Sequence, residues 1–383
     1  MALPTDIKIK DTTLYFIPVT FRIPLKFGNE TSTTVTCARV SVTVEDSEGR
    51  YHTGWGETPL SVPWIWPSQI SYNIRHKTVL DFSRKLTETW KMFKLSGHPI
   101  ELGYSFIEQE LPAFLDSFNR ETTHEEEMPW LAALVAFSPF DIAVHDAYGR
   151  LHNIPVYHSY NSKYMNYDLD YYLEPAKDSK IDFAGLYPED FFSKEPREKM
   201  VAWHLVGGKD ILTSEELQGN ETKDEYPTVL TEWINRDGLK CLKIKLRGHD
   251  AEWDYQRLVK VGRIAYEQGV LWLSADFNCT VQTPAYVNEI LDRLQRDNPR
   301  ISAMLLYVEQ PFPYDLQDNQ IDVRSVSARK PLVMDESAHD WKLVRLGRSL
   351  GWTGVALKTC KTQSGALLSM SWAKAHGMTL MVQ

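Results

Sequence analysis

Six residues in the second half of the chain have types and spacing that suit acid–base chemistry around a bound cation: Lys243, Lys245, Asp276, Glu309, Asp335 and Lys358. Each closes an apolar run that reads as a strand, and from Lys245 onward successive members lie 23 to 33 residues apart, about one βα unit. Three carboxylates brought to one rim repel each other unless a cation joins them. Oxygen-only ligation suits a hard divalent ion, Mg²⁺ first and Mn²⁺ as an alternative. Asn278 and Gln310 stand where they would support such ligands or touch a substrate. A lysine with an ordinary pKa of about 10.4 is a poor base at neutral pH, and neighbouring positive charge and burial lower it. Bringing it to about 7–8 takes roughly three units, or about 4 kcal/mol. The ion, and Lys243 beside Lys245, supply that push. Taken singly, each residue reads as an ordinary solvated strand end. Lys243 and Lys245, however, point to one strand face by the period of two, and two lysines facing into a barrel have no structural purpose.

The elements that must position these residues follow a βα rhythm from residue 200. The strand candidates are MVAWHLV, LKCLKIKL, VLWLSADF, SAMLLYVE, PLVMD, GVALK and MTLMVQ, and amphipathic segments such as AEWDYQRLVKVGRIAYEQ lie between them. Strands alternating with helices at this interval imply a parallel sheet covered by helices. Seven of them predict an α/β fold, a TIM-like (β/α)-barrel whose active site lies at the strands' C-terminal ends. No glycine-rich phosphate fingerprint follows a strand, which counts against a doubly wound sheet. The seventh strand reaches Gln383. A closed barrel needs an eighth, so we expect the native polypeptide to continue for roughly 30–60 residues.

Residues 7–60 predict an antiparallel meander and residues 68–151 predict helices, the last of them PWLAALVAFSPFDIAVHDAYGRLHN, buried and kinked or broken at Pro139. Together they form an α+β capping domain over 1–156, with the barrel over 157–383. Residues 161–198, crowded with Tyr, Phe, Asp and Glu, read as an insertion: a lid or contact surface, or an ordered excursion pinned by its aromatics.

The net charge of −9 argues against nucleic-acid binding. Four cysteines, Cys37, Cys241, Cys279 and Cys360, fit no zinc or disulfide pattern. The N-terminal segment lacks signal-peptide features, and MPWLAALVAF is too short to span a bilayer. These readings predict a cytoplasmic protein with no membrane partner.

K-x-K at 243–245, D-x-N at 276–278, E-Q-P at 309–311, D-E-S at 335–337 and L-K-x-x-K at 357–361 together resemble the enolase superfamily. The resemblance is closest to the muconate lactonizing enzyme branch of the mandelate racemase/muconate lactonizing enzyme group, and spans nearly the whole chain. GWGE at 54–57 and PFDIAVHDAYGRLHNIPVY at 139–157 are similar to family signatures in the capping domain. The resemblance implies an enolase-type barrel with a cap. Asp276, Glu309 and Asp335 would ligate Mg²⁺, Lys245 and Lys358 would be the acid/base pair, and Lys243 would tune Lys245 or touch the substrate carboxylate. Glu336 after Asp335 matches the muconate lactonizing branch. The implied reaction is α-proton abstraction from a small carboxylic acid through an enediolate, giving racemisation, epimerisation or cycloisomerisation. A dehydratase or other β-elimination lyase is the alternative, with His204 facing the site, or a residue beyond Gln383, as candidate acid, and a non-catalytic binding protein is the remote one. The resemblance also implies a homo-oligomer. The usual double glycine after the strand-six lysine reads Thr362-Gln363-Ser364-Gly365, which predicts an altered loop beneath the substrate. The loop 26–34 and segment 58–66 would close over the barrel, with Trp64 and Trp66 as candidate walls.

Overall fold

A computed structural model describes residues 3–27, 30–122, 126–195 and 197–383. Strands β1 (Ile7–Phe27), β2 (Glu30–Asp46) and β3 (Tyr51–Pro59) form the antiparallel meander. Residues 28 and 29, part of the loop expected to close over the barrel, lie outside the described residues. On β2, alternation buries Ala38, Val40, Val42 and Val44 completely. That face meets helix Trp130–Leu151, which is apolar almost all round. Gly54 and Gly56 on β3 set the distance: a Cβ on either would lie 2.1 Å from the helix backbone, at Ala147 N and Pro139 O respectively. This is the one helix among the described residues long and apolar enough to cross a membrane, and 83% of that stretch is buried within the protein.

Two helical expectations need correction. Pro139 does not break Trp130–Leu151, which runs as one helix; the cost is the hydrogen bond that a proline N–H cannot give. Within the stretch 68–151 predicted helical, residues 99–121 do not run as one α-helix but as Pro99–Ser105, a π-turn at Phe106–Glu110, and Leu111–Glu121. Pro112 has no N–H for the carbonyl four residues back, and the Leu111 N–H reaches Phe106 instead.

The second sheet holds the seven predicted strands, all parallel and in chain order: β4 (Trp203–Val206), β5 (Cys241–Lys245), β6 (Trp272–Asp276), β7 (Leu305–Glu309), β8 (Leu332–Met334), β9 (Gly354–Leu357) and β10 (Thr379–Val382). The sheet curls on itself. Trp203 on β4 packs against Tyr307 on β7 with ring centroids 5.4 Å apart, and Val333, Ala356 and Met381 join them inside. Strands β4 and β10 are the sheet's two edges. A larger apolar core, drawn mostly from residues 160–378, fills the space between sheet and helices, and a separate core from residues 7–148 fills the cap.

The 161–198 excursion is not a lid. Tyr160, Leu169, Tyr172 and Phe183 are buried in the barrel's outer core. The Glu174 carbonyl accepts from Trp372 Nε1 at 2.8 Å, and Arg345 and Arg348 hold Glu174 and Asp178 at 2.7 and 2.8 Å. Its aromatics therefore bind it along the helices outside the sheet. The segment 209–230 is also held outside, with Arg22 of β1 donating to Asp224 and to the Tyr226 and Pro227 carbonyls.

Candidate functional site

Register places the chemistry. Lys245 pairs with Asp276, and Asp276 with Glu309, at the C-terminal ends of β5, β6 and β7. Asp335 follows β8 and Lys358 follows β9. Among these side chains the ammonium groups interleave with the carboxylates. Lys243 Nζ lies 2.5 Å from Glu309 Oε1 and 3.0 Å from Asp276 Oδ2. Lys245 Nζ donates to Asp276 Oδ2 at 2.5 Å, and Lys358 Nζ to Asp335 Oδ2 at 2.6 Å. The carboxylates are fully buried.

Burial raises the pKa of every acid here, and the lysines decide the outcome. For Asp276 burial is outweighed by Lys245 and Lys243, and its pKa falls. Asp335 falls far, because Lys358, Lys361 and Lys243 together overcome burial. Glu309 goes the other way: burial and then the Asp276 charge push it up to about 7 despite Lys243. Burial alone would lower Lys358 and Lys243, but the surrounding carboxylates hold both above the ordinary lysine value.

The supporting residues split. Gln310 lies beneath Asp335: its Oε1 accepts from Asp335 N at 2.8 Å and Ser337 N at 3.2 Å, and its Nε2 donates to Ser337 Oγ at 2.7 Å. Asn278 N donates to Asp276 Oδ1 at 2.9 Å. Glu336 Oε1 accepts from Trp64 Nε1 at 3.0 Å, and the Trp64 ring lies 4.8 Å from Lys358 Nζ. Trp64 thus walls the site, whereas Trp66 is buried in the cap core. His204 is not in the site. It pairs with Leu242, the outward neighbour of Lys243, and stacks on Trp233 outside the sheet. Its neighbours Trp203 and Leu205 take the inward face.

Two residues absent from the expected set join it. Lys361 is 3% exposed, and its Nζ donates to the carbonyls of Asp335 and Ala338. Its spacing of three from Lys358 was the available signal. Gln383 Nε2 donates to both oxygens of Glu309 at 3.0 Å. Strain collects on the same rim: Asn278, Cys279, Gln310 and Thr362 all have φ between 33° and 87°, a conformation costing non-glycine residues of order 1–3 kcal/mol each.

Thr362 and Ser364 show what replaces the expected double glycine. Gln363 Nε2 donates to Tyr160 OH, leaving that hydroxyl to donate to His145 Nδ1 at 2.8 Å. His145 Nε2 then faces Ser364 Oγ at 2.9 Å, which donates to Asp141 Oδ1 at 2.8 Å. Ser138 Oγ donates to the Thr359 carbonyl at 2.6 Å. Helix Trp130–Leu151 of the cap thereby fixes the loop that carries Lys358 and Lys361.

The residues fit a divalent cation by donor chemistry: three buried carboxylates, one per adjacent strand end, with an ammonium already set between two of them. Among the described residues no three acidic, histidine or cysteine side chains yet converge as a finished cage; each carboxylate is drawn toward a lysine.

The fold is similar to that of solved mandelate racemase/muconate lactonizing proteins and dipeptide epimerases. A dipeptide epimerase from Enterococcus faecalis, solved with Mg and L-Leu-L-Tyr, superposes with a TM-score of 0.58 over 98% of this chain and 82% of its own, at 16% identity. An enolase from Bradyrhizobium with magnesium and mandelic acid gives 0.59 over 98% and 82%, at 14% identity. A mandelate racemase/muconate lactonizing protein from Herpetosiphon aurantiacus gives 0.55 over 100% and 82%, at 16%. No family model and no curated protein matches the sequence.

Proposed function

We propose that this protein abstracts the α-proton of a small carboxylic acid and returns a proton to the same carbon, as a racemase or epimerase. The observation that carries the reading is the ordered rim Lys245, Asp276, Glu309, Asp335, Lys358, with a lysine at each end of the carboxylate row. Asp276, Glu309 and Asp335 would hold Mg²⁺ or Mn²⁺, which when bound supplies Lewis-acid stabilisation of an enediolate.

Charge counting says how a lysine becomes a base. Lys243, Lys245, Lys358 and Lys361 balance Asp276, Glu309, Asp335 and Glu336 one for one. A divalent ion adds two positive charges and a substrate carboxylate removes one. The surplus is relieved when one lysine gives up its proton. That neutral Nζ takes the α-proton, the C–H electron pair moves into the carboxylate, and Lys243 stays charged beside it. The ammonium on the other side then protonates the carbon. Lys245 ends β5 and Lys358 follows β9, with three strands between them, which suits attack on opposite faces. A β-elimination route would need an acid near the β-carbon, and the outward-turned His204 does not supply it. Cycloisomerisation would use only one lysine.

The structural neighbours, solved with magnesium and with a dipeptide or mandelic acid, guide the assay panel: hydroxy acids, sugar acids, N-acyl amino acids and dipeptides. Each is incubated with the protein and Mg²⁺ in D₂O and read by proton NMR. Metal-dependent loss of the α-proton signal, absent in Asp276→Asn and in EDTA, is expected for at least one class. Failure both to bind Mg²⁺ and to exchange any compound would overturn the reading. Self-association through the cap (1–156) rather than the barrel (157–383) is part of the same proposal, and a monomeric mass in light scattering would remove it.

A further inference from the structure

Between cap residues 63–75 and the turns after β6, β7 and β8 lies a cavity of about 810 Å³. It starts beside the carboxylate row: Asn278, two residues past Asp276, and Glu336, one past Asp335, both line it. Trp64 connects it to the lysines, donating to Glu336 Oε1 and lying against Lys358.

Glu336 is 2% exposed, yet its Oε2 has no hydrogen-bond partner. The Cys279 thiol, a weak donor, also interacts with the Glu336 side chain. A buried carboxylate oxygen left this way is costly unless something donates to it. The walls are aromatic, from Trp64, Tyr72 and Tyr314, and Glu126 adds a second carboxylate. The cation among the described lining residues, Arg75, is already committed. Its guanidinium holds both oxygens of Glu30 at 2.8 and 2.7 Å and donates to the carbonyls of Trp66 and Ile70. A buried carboxylate with one oxygen unpartnered, among aromatic faces, suits a ligand ammonium or guanidinium, which gains charge-assisted hydrogen bonds and ring contacts together.

We infer that the far end of the substrate carries a cationic nitrogen, an ammonium or guanidinium, received by Glu336 Oε2. The inference rests on the proton-abstraction reading for which end reacts; the cavity's preference for a cation does not depend on it.

The test uses two probes of equal length, n-butylammonium and n-butanol, with binding to the Mg²⁺-loaded protein followed by saturation-transfer NMR. The ammonium should bind the wild type on the order of tenfold more tightly, and Glu336→Gln should cut that preference to about threefold or less. Equal binding, or no detectable binding of the ammonium to wild type, overturns the inference, and this comparison needs no variant to fold. Full preference in a folded Glu336→Gln overturns the role of Glu336. A parallel D₂O assay compares N-acetyl-lysine with N-acetyl-norleucine. Ammonium preference without α-exchange of either compound sustains the cation pocket and removes N-acyl amino acids from the substrate panel. Exchange without any advantage for the lysine compound does the reverse.

Discussion

At the residue scale, the site is a set of lysines paired with three buried carboxylates, and two predictions follow from how each lysine is held. In the proposed reaction Lys245 and Lys358 would each serve one face of the reacting carbon. Lys245→Ala and Lys358→Ala should each lose α-exchange from one antipode by about 10²–10⁴-fold while keeping some from the other, and both should lose net inversion. Chiral chromatography beside the D₂O assay reads this, and a single-lysine variant that still interconverts antipodes at wild-type rate would rule out the two-base scheme. Lys361 does different work. Its ammonium ties the backbone carbonyls of Asp335 and Ala338 together and adds to the positive field on the Asp335 carboxylate. Lys361→Met takes the donor from the Ala338 carbonyl, at about 1–3 kcal/mol, leaves the Asp335 carbonyl only the Ala338 N–H at 2.9 Å, and frees the turn that aims Asp335. The variant should melt lower and bind Mg²⁺ roughly 10–100-fold more weakly. Unchanged calorimetric affinity would show that Lys361 does not position the ligand.

At the scale of elements, the cap and the rim loop after β9 are joined through one helix. Trp130–Leu151 reaches the Lys358 loop through Ser138, Asp141 and His145, and rests on β3 through Gly54 and Gly56. Gly56→Ala would drive a methyl to within 2.1 Å of the Pro139 carbonyl. Overpacking of this kind costs about 1–3 kcal/mol or more, so the melting temperature should fall by several degrees, and a variant melting with wild type would show that the helix can shift without loss. The same elements show what can be read from sequence. The strand ends were legible because each ionisable residue closes an apolar run, and because a period of two puts Lys243 and Lys245 on one face. His204 was not, since MVAWHLV has apolar residues on both faces and only the register with Leu242 reveals which side is inner. Lys361 was missed as a site residue because it sits on the turn after β9, where strand period no longer gives direction. Helix continuity through Pro139 depends on packing against β3, which local propensity does not contain.

At the scale of the whole molecule, the buried histidines set the response to acid. His98 lies in the helix cap of Pro99–Ser105 with its Nε2 2.9 Å from Ser159 Oγ, and His145 lies between Tyr160 and Ser364. Burial lowers both, His98 well below its ordinary value and His145 to about 3. Their folded pKa values lie below the unfolded value of about 6.5, so below that pH the unfolded chain binds protons that the folded chain refuses. Each histidine then costs about 1.4 kcal/mol of stability per pH unit as pH falls. Asp141 opposes them. Burial, against hydrogen bonds from Ser364, pushes it up to about 6, so between about 4 and 6 the folded chain holds a proton that the unfolded chain has released, and stability gains as pH falls. In that window Asp141 offsets the loss from one histidine, about 1.4 kcal/mol per pH unit. Asp141→Asn removes the opposing term and keeps an oxygen to accept from Ser364, so its slope should be steeper by about 1.4 kcal/mol per pH unit between pH 6 and 4. His339, also buried and lowered to about 3, steepens both slopes alike, so their difference isolates Asp141. Urea unfolding of both proteins at pH 7, 6, 5 and 4 measures it, and parallel slopes would mean that Asp141 is ionised in the folded protein throughout.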